Sequence, residues 1–262
     1  MKQDNTKTNI TMNRSLEKGL ILLETLATSV AELSVIEISE LLGITRPMVY
    51  SLLRVLLSKN YVQRNEENGK YSIDYRAYEL GTSYRFNFPF LNVAEKYIVT
   101  MCNRYNIKIN VTILREPCTA VIILSRDVFV MPRMMWGYVH PAYASASGKV
   151  LMASLPDKKL DQLLHNTEFK SFTPHTITSP EQLKQEILAI RKNGYAMENG
   201  ELRLGHSCIA APIYDKSGKA IAAASFSGTS DRFDTNSEKM IADIKTMCSN
   251  ISGDLGYTPF SF

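Results

Sequence analysis

"ISELLGITRPMVYSLLRVLLSKNYV", Ile38 to Val62, is the stretch on which the reading of this chain turns. Two apolar runs flank Gly43, and the second carries basic residues along its length. Just upstream, Ser34-Val-Ile-Glu37 has the form of a capping box. In such a box the Ser hydroxyl accepts from an orphan amide and the Glu reaches back to the cap's own N–H. The helix it starts is expected over Val35 to Leu42, with Ile38, Leu41 and Leu42 inward. Gly43 ends it, because glycine tolerates the left-handed backbone found just past a helix. Thr45 is then the expected N-cap of a second helix, with Pro47 in its first turn, where a missing N–H removes only an orphan donor. Val49, Leu52, Leu53, Leu56 and Leu57 continue that helix, and Lys59-Asn60 closes it. Two helices joined by so short a turn make a helix-turn-helix, whose second helix is the candidate reader of a DNA groove.

Charge agrees with this reading. No acidic residue occurs between Glu40 and Glu66, whereas Arg46, Arg54, Lys59 and Arg64 are basic. The first 86 residues together hold 11 Lys/Arg against 10 Asp/Glu, so the feature is a local patch and not a basic domain. "YVQRNEENGKYSI" then reads as two short strands around Asn68-Gly69, a hairpin flanked by Arg64 and Lys70. That is a wing, a place where basic side chains touch phosphate. Upstream, Leu16, Leu20, Leu23 and Ala27 recur at helical spacing and predict a first helix with that face inward.

The chain has 262 residues, 45% hydrophobic and 21% charged, a length that favours two domains over one. A formal charge of +4 identifies no partner by itself. Cys102, Cys118, Cys208 and Cys248 are far apart and form no CxxC pair, which argues against a disulfide framework or zinc ribbon and for a reducing, cytoplasmic setting. The polar start "MKQDNTKTNITMNRS" has no apolar core of a secretory signal, and no apolar run is long enough to cross a membrane. His140, His165, His175 and His206 show neither HxH nor HExxH spacing, so no metal and no cofactor are expected.

Asp74 to Phe86 reads as a linking helix, with a boundary near Phe88-Pro89. Leu91 to Tyr105 is amphipathic, with Val93, Ala94, Tyr97, Ile98 and Met101 inward. "KINVTIL" and "TAVIIL" follow as strands. "SASGKVLMASLP" joins a small-residue turn to a helix, and Leu160, Leu163 and Leu164 mark another. Ser179-Pro-Glu-Gln182 caps a helix that runs to Asn193-Gly194. "SCIAAPIYD" and "AIAAASFSG" are two more strands, and a last helix from Ser237 carries Ile241, Ile244, Met247, Ile251 and Leu255 on one face. The expected class is α+β, a central antiparallel sheet flanked by helices. The expected divisions are a tail over 1–12, a winged helix-turn-helix over 13–74, a linker helix over 75–89 and a second domain over 90–262.

Taken together, "LSVIEISELLGITRPMVYSLLRVLLSKNYVQRNEENGKYSI", "YASASGKVLMASLP" and "TPHTITSPEQLKQEILAIRKNGYAMENGELRLGHSCIAAPIYDKSGKAIAAASFSG" resemble the IclR family of bacterial transcriptional regulators. The resemblance spans roughly Ser15 to Gly256. It implies a regulator, more a repressor than an activator, that binds a double-stranded DNA operator. It also implies a GAF-like domain that senses a small organic or aromatic acid, and a homodimer or homotetramer. By the same resemblance Ala146-Ser147-Gly148 is the turn whose amides meet the effector's carboxylate. A helix start built of small residues suits an anion physically. Glu198, Cys208, Ser225 and Ser227 match pocket-lining positions, and "FVMPRMMWGYVH" matches the segment over the pocket, nominating Phe129, Met134, Met135, Trp136 and His140. DNA contacts are expected from Thr45, Arg46, Met48, Tyr50, Ser51 and Arg54, with Arg64 and Lys70 on the wing.

This chain departs from the family in three places. Its recognition helix opens Arg46-Pro47-Met48 where a small hydroxyl pair is usual, Ser51 stands where an Arg is common, and Glu198-Asn199-Gly200-Glu201 replaces an Asp-rich stretch. Each pocket residue also has a structural reading. The small turn can serve packing alone, the serines can bond each other, Glu198 can be a solvated turn carboxylate, and Cys208 can be a buried small hydrophobe. Lys149 faces either the pocket or solvent. The alternative function is an enzyme with Cys208 or the Ser225/Ser227 pair as nucleophile. Nothing in the sequence supplies a base, an orienting carboxylate and an oxyanion site together.

Overall fold

The computed structural model describes residues 13–116, 118–127, 137–234 and 237–258. The chain divides into two compact units, Met1–Phe88 and Pro89–Phe262.

The first unit holds α1 (Arg14–Thr28), α2 (Val35–Leu42), α3 (Arg46–Ser58), β1 (Val62–Arg64), β2 (Tyr71–Ile73) and α4 (Tyr75–Arg85). Both arms of the expected capping box are present: Ser34 accepts from the Glu37 N–H, and Glu37 accepts from the Ser34 N–H. Gly43 takes φ 61° and turns the chain, so α2 and α3 meet at 110°. Asn60, at φ 58°, closes α3 in the left-handed region. Leu22, Leu26, Val35, Ile38, Val49, Leu53, Val62 and Tyr71 form the core of this unit.

Two inward faces differ from expectation. In α1 the buried residues are Leu22 and Leu26, whereas Leu16 and Leu20 are 62% and 52% exposed and Ala27 is exposed too. Two overlapping apolar stripes exist on this helix, and spacing alone does not say which one packs. In α2, Val35 and Ile38 are buried and Leu41 is 63% exposed. An eight-residue helix has room for one narrow contact line, and Leu41 lies off it.

The second unit contains α5 (Phe90–Tyr105), β3 (Lys108–Arg115), β4 (Thr119–Arg126), β5 (Val139–Pro141), α6 (Ala146–Ala153), α7 (Asp157–His165), α8 (Pro180–Asn193), β6 (Ala196–Asn199), β7 (His206–Tyr214), β8 (Ala220–Thr229), α9 (Asp231–Asp234) and α10 (Ser237–Asp254). Its six strands form one antiparallel sheet in the order β5-β4-β3-β8-β7-β6. The strand period of two gives this sheet two unlike faces. Ile109, Val111, Ile209, Ala211, Ile213, Ala224 and Phe226 are all buried on one of them, where α5 and α10 pack. There Cys248 on α10 donates to the Ala211 carbonyl, and Tyr105 on α5 meets the Phe226 ring at 5.4 Å. On the other face Ala120, Ala196, Ala210 and Ala223 share a core with α6 and α8. The α5 face also differs from expectation: Leu91, Ala94, Ile98 and Cys102 are buried, with Val93, Tyr97 and Met101 half-buried.

Among the described residues no single helix is long and apolar enough to cross a membrane. The bent α2–α3 pair passes on composition, but most of its apolar residues pack in the first unit's core, with Ile36, Leu41 and Val55 exposed. All four cysteines are unpaired.

Candidate functional site

Helix α3 buries Val49 and Leu53, which leaves Arg46, Tyr50 and Arg54 at i, i+4 and i+8 as an outward stripe. Tyr50 is 57% exposed, and Thr45, Ser51 and both arginines are exposed as well. Thr45 occupies the N-cap position without a side-chain capping bond. Met48 departs from expectation: it is half-buried and its Sδ takes a hydrogen bond from Lys18 Nζ at 3.5 Å, so it packs toward α1.

The wing is longer than a two-residue turn. The Asn65 N–H donates to the Lys70 carbonyl, and the Asn65 side chain accepts from Glu67 and Asn68. Asn65 and Asn68 in turn donate to Glu32. Arg64 is exposed, and its guanidinium lies so close to Gly69 that a Cβ there would sit 3.2 Å from Nη2. Lys70 Nζ lies 3.4 Å from Glu37, the capping-box carboxylate. A phosphate must therefore compete with Glu37 for Lys70.

In the second unit the register of the sheet assembles a polar row. Glu198, Cys208, Ser227 and Lys108 stand directly opposite one another across β6, β7, β8 and β3. The next row on the same face is Ala196, Ala210, Ser225, Asn110 and Ser125, where the Ser125 hydroxyl donates to Asn110 Oδ1 at 2.8 Å. Thr112 follows two residues after Asn110. His140 on β5 pairs with Ala120 on the same side. Half of this sheet face is thus apolar beneath α6, and half is polar and buried.

Glu198, Ser225, Ser227 and His140 are 3%, 3%, 4% and 7% exposed, so none of them is a solvated surface group. Burial pushes the Glu198 carboxyl up to about 7, against the pull of the Glu201 and Leu202 N–H groups that donate to it. Burial pushes His140 down to about 4, which keeps its ring neutral near pH 7. His206 Nδ1 lies 3.8 Å from Cys208 Sγ, and its Nε2 lies 3.3 Å from the Ser227 hydroxyl. Burial and the neighbouring Glu198 carboxylate push the Cys208 thiol up to about 12. A nucleophilic cysteine needs the opposite shift.

Two expectations on α6 are corrected. The Gly148 N–H is taken by the Ser145 hydroxyl at 3.1 Å, so it is not an anion donor. Gly148 is instead a close-approach residue, because a Cβ there would lie 2.3 Å from the Ala142 carbonyl oxygen. Ala146 and Ser147 are buried in the first turn beside it. Lys149 faces neither pocket nor solvent. It is wholly buried, and its Nζ donates to both Glu186 oxygens at 2.9 and 3.0 Å and to Glu201 Oε1. That ammonium ties α6 to α8 and to the turn after β6. The hydroxyls of Thr173 and Thr176 donate to the Gly200 and Glu201 carbonyls from the other side of the same turn.

Phe129, Met134, Met135 and Trp136 lie outside the described residues. A shallow cleft of about 250 Å³ sits elsewhere, between Ala153, Arg191, Pro212 and Tyr214, and holds none of the expected effector residues. Arg191 is fully engaged there by the Ala153 and Leu155 carbonyls and Asp157.

Asn110, Thr112 and Ser125 were not expected at the site. Their signal was present, since Lys108, Asn110 and Thr112 alternate with Ile109, Val111 and Ile113. A strand buried on both faces has no reason to keep a polar period unless that face meets something polar.

A winged helix-turn-helix with an outward basic stripe, in one chain with a sheet domain, defines a DNA-binding transcriptional regulator. The profile of the bacterial transcriptional regulator IclR C-terminal domain matches residues 85–253, and that of the IclR helix-turn-helix domain matches residues 15–66. The chain belongs to the IclR family. It is 31% identical over 234 residues to the regulator KdgR of Dickeya chrysanthemi, covering 88% of this chain and 76% of that one. It is 30% identical over 253 residues to the repressor AllR of Salmonella typhimurium, covering 94% and 91%. The crystal structure of Thermotoga maritima IclR superposes with a TM-score of 0.80 at 30% identity, covering 93% of this chain and 99% of that one.

Proposed function

We propose that the chain is a one-component repressor working in the cytoplasm as a homodimer or homotetramer. Its second unit takes a small organic or aromatic acid on the polar half of the sheet face and thereby changes operator affinity. The observation that carries this reading is a pair of buried polar atoms without hydrogen-bond partners among the described residues, Thr112 Oγ1 and His140 Nδ1. Such atoms cost free energy unless something occupies them. Both belong to the sheet face that bears Asn110, Ser225 and Ser227. A hydroxyl, an amide and a neutral imidazole suit a carboxylate and a ring hydroxyl. Phe129, Met134, Met135 and Trp136 supply the apolar wall in this reading, and Ala146-Ser147 the free amides.

On the DNA side, Arg46, Tyr50 and Arg54 read the groove, with Thr45, Ser51 and Arg64 on the backbone. The exposed stripe of Leu16, Leu20 and Ile21 on α1 supports self-association. Paired reading heads then meet half-sites about one helical turn apart, or a multiple of it. The effect of the ligand is bounded by its differential affinity for the two states. Relatives named as repressors support the sign of regulation.

A thermal-shift screen of small carboxylic and aromatic acids tests this, followed by operator retardation with each hit. Ligands that bind the folded state raise its melting temperature. No retardation of the protein's own promoter region at low salt sinks the DNA reading, and no shift with any acid sinks the effector reading. Cys208→Ala should alter only the ligand response; loss of a turnover instead would point to the enzyme.

A further inference from the structure

We propose that Glu198, His206 and Cys208 form a binding site for a thiophilic divalent cation of the zinc class. The donors are one carboxylate oxygen, His206 Nδ1 and the Cys208 thiolate. The site shares Glu198 and Cys208 with the effector surface, but it rests on its own geometry and stands without that reading.

The three donor atoms lie within 4.8 Å of one another. Two features of the sheet bring them there. His206 and Cys208 are two apart on β7, so both side chains project from one face. Glu198 is the direct cross-strand partner of Cys208, and Cβ atoms so paired are about 4.5–5.5 Å apart. The pattern is His-x-Cys, whose strand period puts the thiol and imidazole on one face, with the third donor, Glu198, brought in by cross-strand register, so neither HxH nor HExxH spacing reports it.

The separation fits the chemistry. Zinc–sulfur and zinc–nitrogen bonds of about 2.3 and 2.0 Å at the tetrahedral angle place the two donors about 3.5 Å apart. His206 Nδ1 and Cys208 Sγ are 3.8 Å apart before any ion is considered. The imidazole is also oriented from behind. Its Nε2 meets the Ser227 hydroxyl at 3.3 Å, so a proton held on Nε2 is donated to that oxygen and the Nδ1 lone pair faces Cys208. A ligating histidine is commonly held in this way through its second nitrogen. Neutral imidazole, carboxylate and thiolate together select a borderline cation over magnesium or calcium, which take oxygen donors.

Charge is consistent. Burial holds His206 below its ordinary range, helped by Lys108 and Arg203, and so favours the ligating form. Burial holds the proton on both Glu198 and Cys208, with Glu201 adding to it at Glu198 and Glu198 adding to it at Cys208. A divalent cation reverses both penalties. The sulfur–metal bond forms as the thiol releases its proton to solvent, and no electron is transferred. With three protein donors, a fourth position stays open.

The test uses the untagged full-length protein stripped with EDTA and titrated with Co²⁺, followed by Zn²⁺ competition. One equivalent should bind per chain, with ligand-field bands of tetrahedral cobalt and a near-ultraviolet sulfur-to-cobalt charge-transfer band, both abolished by zinc. Cys208→Ser should lose the charge-transfer band and weaken zinc binding at least about a hundredfold. His206→Gln and Glu198→Gln should weaken binding while keeping the band. No band in the wild type overturns the proposal, as does a band that survives Cys208→Ser. If Cys208→Ser fails to fold, X-ray absorption of the zinc-loaded wild type decides. One sulfur with nitrogen and oxygen neighbours supports the site, and no sulfur or several sulfurs overturn it. Acids that raise the melting temperature in EDTA keep the effector reading whatever the metal result.

Discussion

Replacing Lys149 by Met removes a buried ammonium and keeps an unbranched side chain of similar length. The wild-type ammonium is fully enclosed, with Glu201 beside it at 10% side-chain exposure and Glu186 at 26%. Glu201 Oε2 already has no hydrogen-bond partner among the described residues. Without Lys149 one carboxylate is left buried and uncompensated. Breaking a buried pair from one side costs about 3–5 kcal/mol. Glu186 is partly exposed and can turn to water, so the low end, about 3 kcal/mol, applies here. For a unit of this size that is a fall of about 6–12 °C in melting temperature. The sign with pH follows from Glu201. Burial already raises its pKa, and Lys149 is the main opposing influence. In the variant its folded-state pKa rises further above the unfolded value. The folded state then holds a proton that the unfolded chain has lost, so stability falls as pH rises through that window. The deficit is therefore largest at pH 8 and shrinks toward pH 5. Calorimetry of both proteins in EDTA between pH 5 and 8 measures it. Adding Glu201→Gln should restore part of the loss at pH 8. A fall below about 2 °C, or a deficit equal at both ends of the pH range, would refute the argument that burial of an unpaired carboxylate is the cause.

Three further outcomes follow from the same geometry. Glu198 titrates near 7 when folded against about 4.5 when unfolded, so it destabilises as pH rises through that interval, by at most about 3 kcal/mol; Glu198→Gln should flatten the stability profile of metal-free protein between pH 5 and 8, and an unchanged slope would show that the carboxyl titrates normally. Gly148→Ala puts a Cβ 2.3, 2.4 and 2.7 Å from the oxygen, Cα and carbonyl carbon of Ala142; backbone must move, so a loss of at least about 2 kcal/mol is expected in a urea melt, and an unaffected midpoint would show that the turn yields freely. Arg46→Ala and Arg54→Ala should each weaken operator binding and lower the salt slope by about one if the residue meets phosphate; a variant with unchanged affinity and slope would remove that arginine from the interface.

The helix-turn-helix was legible in sequence because local devices fix it. The Ser34–Glu37 box, the left-handed Gly43 and Asn60, and the Pro47 start act over three or four residues, and each appears where it was expected. Four strands of the second unit, β3, β4, β7 and β8, were legible as apolar runs, whereas the short β5 and β6 were not, because three or four residues are too few to show a period. Facing was less legible. Leu16 and Leu20 against Leu22 and Leu26 is a choice made by tertiary contact, and both sets satisfy a helical period.

The site divides along the same line. Glu198, Cys208, Ser225 and Ser227 were nominated one by one, but their adjacency is a property of register. Lys149 shows the limit most clearly. In sequence it is a lysine in the first turn of a short helix; in the fold it is an ammonium closed in by Glu186 and Glu201, 37 and 52 residues away. No window of ten or twenty residues contains that ion cluster. Its consequence is mechanical. Lys149, Thr173 and Thr176 fix the turn over Gly200 and Glu201, and that turn's amides hold the Glu198 carboxylate on the polar row. Where a sheet face keeps polar side chains against the interest of its own core, the groups that hold them in place deserve the same weight as the groups that meet the ligand. A substitution at Lys149 should therefore disturb the ligand response as well as stability, although Lys149 itself is shut away behind two carboxylates.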